Sequence, residues 1–142
     1  MVRCIEFERG GEMSTTELRS RETVILAEDF DVLVAWYRDV LGFEVVQLFE
    51  DGMHYANLKT ASGIRIGIGL AGEVQVEPRD RAANTVVLQF EVDDVSELLV
   101  HIENHGGVVQ HGPTFNQEEG FWFGAFADPE GNPIWLVDAA CP

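Results

Sequence analysis

Lysine, cysteine and long apolar runs are all scarce in this 142-residue chain. Lys59 is the only lysine among nine basic residues, against 25 acidic ones, and the formal net charge is −16. A chain of that sign repels phosphate backbones, so nucleic acid is excluded as a partner. It attracts cationic ligands and stays soluble. No stretch approaches the ~20 apolar residues that a bilayer span needs. The opening Met1-Val2-Arg3-Cys4-Ile5-Glu6 has no apolar block and does not read as a signal peptide, so a cytoplasmic location is expected. Cys4 and Cys141 lie near opposite ends without CxxC spacing, which excludes a zinc knuckle or redox pair and leaves two reduced thiols. No nucleophile elbow, phosphate loop or dinucleotide fingerprint is present. The run Gly67-Ile68-Gly69-Leu70-Ala71-Gly72 imitates GxGxxG but opens no helix.

What remains is a chain 46% apolar, enough for one buried core. Residues 1–21 are charged and aperiodic and read as a flexible tail. Met13 follows Gly10-Gly11-Glu12 and is a second candidate for the natural start. From Thr23 the pattern sharpens. Thr23–Ala27 is a β-branched strand. Glu28-Asp29 offers an N-cap to a helix carrying Phe30, Leu33, Val34, Tyr37 and Leu41 on one face, closed by Gly42. Phe43–Phe49, His54–Lys59 and Ile64–Leu70 read as three strands, with turns at Asp51-Gly52 and Ser62-Gly63. After a polar linker the order repeats. Thr85–Val92 is a strand, and Asp93-Asp94 caps a helix with Val95, Leu98, Leu99 and Ile102 on one face. Val108–Gln110, Phe121–Ala127 and Pro133–Val137 are strands, with a turn at Gly112-Pro113.

The repeat can be registered. Placing Asp29 over Asp94 sets Leu33 on Leu98 and Gly42 on Gly107. Placing Gly63 over Gly131 sets Ile66 on Ile134. The expected fold class is α+β: two βαβββ modules forming a paired, curved mixed sheet around a cavity, with the helices on the outer face. Module one spans 22–71, the linker 72–84 and module two 85–138, within one domain of 22–142.

The segment Ala35-Trp36-Tyr37-Arg38-Asp39-Val40-Leu41-Gly42-Phe43 resembles the first-helix pattern of the vicinal oxygen chelate superfamily, the glyoxalase, bleomycin-resistance and dioxygenase group. Phe90-Glu91-Val92-Asp93-Asp94-Val95 resembles the entry to that group's second helix. Gly106-Gly107, Gly112-Pro113 and Asp128-Pro129-Glu130-Gly131-Asn132 resemble its turns. The resemblance covers about residues 23–138 and implies the same paired fold. It does not fix the reaction, because a fold hosts many functions.

Enzymes of the group place metal ligands on the first and last strand of each module, as His, Gln or Glu. Carried onto this sequence, those positions hold Glu22, Gly67, Val87 and Trp135. Three of the four have no donor atom, so no metal and no cofactor is expected. His101 and His105 lie four apart but flank the helix's apolar face, His111 borders a turn, and His54 is open to either sheet face. By strand alternation the cavity candidates are Glu22, Arg65, Gly67, Gln89, Glu91 and Trp135, with Trp122 as a further wall. The expected function is metal-independent binding of a small organic ligand, cationic or aromatic. Stacking on Trp135 or Trp122, with Glu22, Glu91, Glu118 or Glu119 nearby, would supply the attraction. The alternative is an enzyme with a relocated metal site: a lactoylglutathione-lyase-like protein, an isomerase or a ring-cleaving dioxygenase. A third class is a structural dimerisation module, and a homodimer is expected in either case.

Overall fold

The computed structural model describes residues 16–142. Most of the expected tail, including Met13, lies outside the described residues, and 16–22 carry no regular element. The order is β1 (Thr23–Ala27), α1 (Phe30–Asp39), β2 (Glu44–Phe49), β3 (Tyr55–Lys59) and β4 (Arg65–Leu70). Two short 3-10 turns follow, at Ala71–Val74 and Arg81–Ala83. Then come β5 (Leu88–Glu91), α2 (Val95–Asn104), β6 (Val108–Asn116), β7 (Phe121–Ala127) and β8 (Pro133–Val137). No helix among the described residues is long and apolar enough to cross a membrane.

The strands form two four-stranded mixed sheets, ordered β1-β4-β3-β2 and β5-β8-β7-β6. In each, the outermost first strand runs parallel to the last and the other pairs are antiparallel. Thr23 lies opposite Ile66 and Leu88 opposite Ile134. The two modules therefore superpose at the offsets that the sequence repeat requires. The helices repeat the match, because Asp29 and Asp94 are both N-caps. The Asp29 side chain accepts from the Val32 N–H at 3.2 Å and that of Asp94 from the Glu97 N–H at 2.9 Å.

Two boundaries differ from the sequence reading. The strand β5 starts at Leu88 rather than Thr85, and Val86 stands 85% exposed outside the ladder. The strand β6 does not stop at Gln110. It continues through Gly112-Pro113 to Asn116, with register shifts at Val109/His111 and His111/Thr114. Proline is tolerated there because β6 is an edge strand and the bulge removes the need for its missing N–H.

One hydrophobic core joins the modules. Ile25, Ala56, Leu58, Ile66 and Ile68 of the first sheet meet Leu33, Val34 and Tyr37 of α1. Phe126, Ile134 and Leu136 of the second meet Val95, Leu99 and Ile102 of α2. Trp36 crosses between the halves: its ring lies 6.2 Å from that of Phe126, and its Nε1 donates to the His105 carbonyl at 3.1 Å.

A buried polar clasp reinforces this join. The Tyr37 hydroxyl donates to Asp128 at 2.9 Å. Arg81, from the linker, donates to Glu130 at 2.7 Å and to Asn132 at 3.1 Å. The Glu130 carboxylate also accepts from the Glu28 and Asp29 N–H groups, 2.7 and 3.0 Å away, at the start of α1. Burial, then the Asp128 carboxylate, pushes the Tyr37 phenol well above its ordinary pKa. The sequence motifs at Tyr37 and at Asp128–Asn132 are thus the parts that fasten module to module.

Candidate functional site

In both sheets the helices cover one face and leave the other open. On β4, Ile66 and Ile68 face the core while Gly67 and Gly69 face outward. On β8, Ile134 and Leu136 face the core while Trp135, 51% exposed, faces outward. The sequence alternation therefore assigns these two strands to the correct faces.

On the first sheet, the open face holds Glu22, just before β1, against Tyr55 and Asn57 of β3. The Tyr55 hydroxyl donates to Glu22 Oε1 at 2.6 Å, and Asn57 Nδ2 donates to both carboxylate oxygens, at 2.9 and 3.0 Å. Partial burial alone would raise the Glu22 pKa. The Tyr55 and Asn57 hydrogen bonds and the Arg21 and Arg65 charges outweigh it and hold the carboxyl below its usual range. Partial burial and the bond to Glu22 push Tyr55 up to about 12. With Arg21, Gln47, Phe49 and Met53 this cluster borders a hollow of about 350 Å³.

On the second sheet, Trp135 lies beside Gln89 on β5 and Ala125 on β7. Phe121, Phe123, Trp135 and Val137 form an apolar and aromatic wall. Gln89, His111 and Asn116 supply polar groups and Cys141 closes one side, around a hollow of about 340 Å³. His111 is a wall residue here, edge-on to Phe123 at 5.9 Å, rather than a turn residue. The sequence hid this because the residue lies in a bulge.

The seven candidates thus divide. Glu22 and Gly67 come together on the first sheet, with Arg65 close enough to act on Glu22 through its charge. Gln89 and Trp135 come together on the second. Glu91 lies opposite Val137 at the end of β5 and borders neither hollow. Trp122 is placed with Phe115 across the β6–β7 ladder, the rings 5.2 Å apart, and borders neither hollow. Gly124, two residues on and so on the same strand face, points at Leu99 and Val95 of α2. Trp122 therefore belongs to the helix side of β7, away from Trp135. His54 also lies on the helix side. It meets Phe30 edge-on, and both its ring and its N–H bond Glu73, which raises its pKa.

A third hollow, of about 590 Å³, lies between the free edges of β1 and β5, bordered by Thr23–Leu26, Thr85–Leu88 and the linker. His101 on α2 and His105 just after it have tilted rings with centroids 4.3 Å apart, each with one ring nitrogen on a backbone carbonyl, those of Val40 and His101. Among the described residues no three His, Cys, Asp or Glu side chains converge as a metal set. The four family ligand positions do not fit a metal. Val87, Trp135 and Gly67 carry no donor, and Glu22 is already engaged by Tyr55 and Asn57. Sequence reasoning missed Tyr55 and Asn57, because only the order β1-β4-β3 brings them to Glu22.

A family model for the Glyoxalase/Bleomycin resistance protein/Dioxygenase superfamily matches residues 19–136. Among solved structures, the chain is similar to a glyoxalase family protein from Bacillus cereus: 18% identity, TM-score 0.74, covering 89% of this chain and 98% of that one. It is also similar to a glyoxalase/bleomycin resistance protein/dioxygenase family enzyme from Burkholderia phytofirmans: 20% identity, TM-score 0.67, covering 82% and 95%. A member of the same superfamily from Sphaerobacter thermophilus shares 19% identity at a TM-score of 0.71, covering 86% and 98%. At these identities the likeness is one of fold. No protein of curated function matches the sequence.

Proposed function

The chain belongs to the glyoxalase/bleomycin resistance protein/dioxygenase superfamily, and from that premise we propose that it binds a small aromatic compound, without a metal, on the open face of its second sheet. The observation that carries this reading is the hollow framed by Phe121, Phe123 and Trp135, with Gln89, His111 and Asn116 as its polar contacts. Organic ligands favour such a composition: flat apolar walls for area and a few polar groups for orientation. The half-exposed Trp135 indole is available for stacking. A cationic ring adds a cation–π contribution there, drawn in by the net charge of −16. Glu22 contributes little to that attraction, because Arg21 and Arg65 offset it.

The two hollows share no residue. We therefore expect the working form to be a homodimer in which the open sheet faces are covered.

Tryptophan fluorescence titration against a panel of flat aromatic and cationic aromatic compounds tests the binding reading. Quenching is expected to persist in Trp122→Phe and vanish in Trp135→Phe. Absence of quenching across the panel overturns it. Stoichiometric iron, manganese, nickel or zinc in the purified protein would favour the lyase, isomerase or dioxygenase alternative.

A further inference from the structure

We infer that the metal-ligand position on the first sheet is closed rather than vacant, because the Tyr55 hydroxyl fills the space a side chain at 67 would need and makes Glu22 a hydrogen-bond acceptor. This deepens the metal-independent reading and rests on it, but not on where an organic ligand binds.

The argument starts from volume. A Cβ placed on Gly67 would lie 2.0 Å from Tyr55 Oη, 2.6 Å from Tyr55 Cζ and 2.8 Å from Glu22 Oε1. No ligating side chain enters at 67 while Tyr55 holds this position. Gly67 has no positive φ, so what limits the side chain at 67 is the Tyr55 ring and not the backbone.

Hydrogen bonding comes next. An ionised carboxylate has about four acceptor sites. Glu22 has three bonds, from Tyr55 and twice from Asn57, all between 2.6 and 3.0 Å. A divalent ion would have to displace these donors. It would also face the charges of Arg21 and Arg65, which already act on Glu22.

The second module supplies an internal control. Tyr55 lies opposite Gly69, and its counterpart Phe123 lies opposite Val137. Asn57 lies opposite Gly67, and its counterpart Ala125 lies opposite Trp135. At the equivalent positions the second sheet has no donor to hold a carboxylate and no carboxylate to hold. Module one has thus exchanged a ligand position for a phenol–carboxylate pair, and module two has exchanged its own for an aromatic wall.

Two measurements test the closure. In equilibrium dialysis against Ni²⁺, Zn²⁺ and Mn²⁺, wild type and Glu22→Gln are expected to retain the same amount of metal. One ion per chain in wild type, lost in Glu22→Gln, overturns the inference. In urea unfolding, Gly67→Ala is expected to lower the midpoint in the wild-type background and to lower it less in a Tyr55→Ala background, where only the Glu22 carboxylate remains in the way. Equal losses in both backgrounds overturn the coupling. Should Gly67→Ala alone fail to fold, the double variant against Tyr55→Ala decides the same question. A failed fluorescence titration touches only the ligand reading and leaves both of these results standing.

Discussion

Tyr37 and Tyr55 are the chain's two tyrosines, and each donates to a carboxylate. The Tyr55 phenol is held near 12, and burial and the Asp128 carboxylate hold Tyr37 well above its ordinary value. Alkaline titration followed at the tyrosinate absorbance is expected to show no ionisation near pH 10. Glu22→Gln should bring one tyrosine down towards it. A wild-type step at pH 10 would contradict the Tyr55–Glu22 bond. Both phenols are raised in the fold, so their contribution to stability is complete below pH 10, and that of Tyr55 is lost as pH climbs through about 12. Glu22 works in the opposite sense. Its pKa is lowered, so its contribution is present above the ordinary carboxylate range and is lost as pH falls below it. Urea midpoints measured against pH should fall at both ends, and Glu22→Gln should remove part of the acid-side fall. Glu22 was named from the sequence because the family resemblance carries a ligand position onto it. Its partners were not, since the period of a strand does not say whether His54 or Tyr55 faces outward. The same parity ambiguity misplaced Trp122 within the aromatic run Phe121-Trp122-Phe123.

The elements were read well wherever a cap or a period marked them. The two helices begin one residue after Asp29 and Asp94, at matching points of the repeat. Asp29→Ala and Asp94→Ala are each expected to cost about 1 kcal/mol in urea unfolding. The strand β6 was cut short because Gly-Pro reads as a turn wherever the bulge that absorbs it is not visible. The linker's role was not legible either. Its Arg81 is buried and pairs with Glu130, whose carboxylate also holds the Glu28 and Asp29 N–H groups just before α1. Arg81→Met leaves the buried Glu130 carboxylate without a counter-charge, held only by its two backbone donors, and is expected to cost about 3 kcal/mol, more than either helix cap. A loss no larger than a cap's would mean that the clasp is not holding the modules.

For the whole molecule, the repeat gave the duplicated topology without help from any relative, and the β1–β4 and β5–β8 pairings keep its offsets. What lay beyond the sequence was the division of the candidate cavity into two separate hollows. Side-by-side sheets keep Glu22 and Trp135 in different neighbourhoods, and linear order carries no record of that separation. Light scattering is expected to give the mass of two chains, as covered sheet faces require. The mass of one chain would leave both faces open and remove the dimer from the proposal.

The linker has a further consequence for assembly. Among the described residues every strand pair lies within one module, while the core and the Tyr37–Asp128 bond lie between modules. The exposed stretch from Gln75 to Arg79 carries no strand pairing and sits between the two short 3-10 turns. A backbone nick there would separate the gene product into two fragments that share one hydrophobic core. Co-expressed as a split pair, they are expected to find each other and co-purify, with Arg81 of one fragment closing on Glu130 inside that same fragment and Tyr37 of the other docking against Asp128. The fold would then serve as a self-complementing reporter scaffold, its rejoining set by the clasp rather than by the peptide bond.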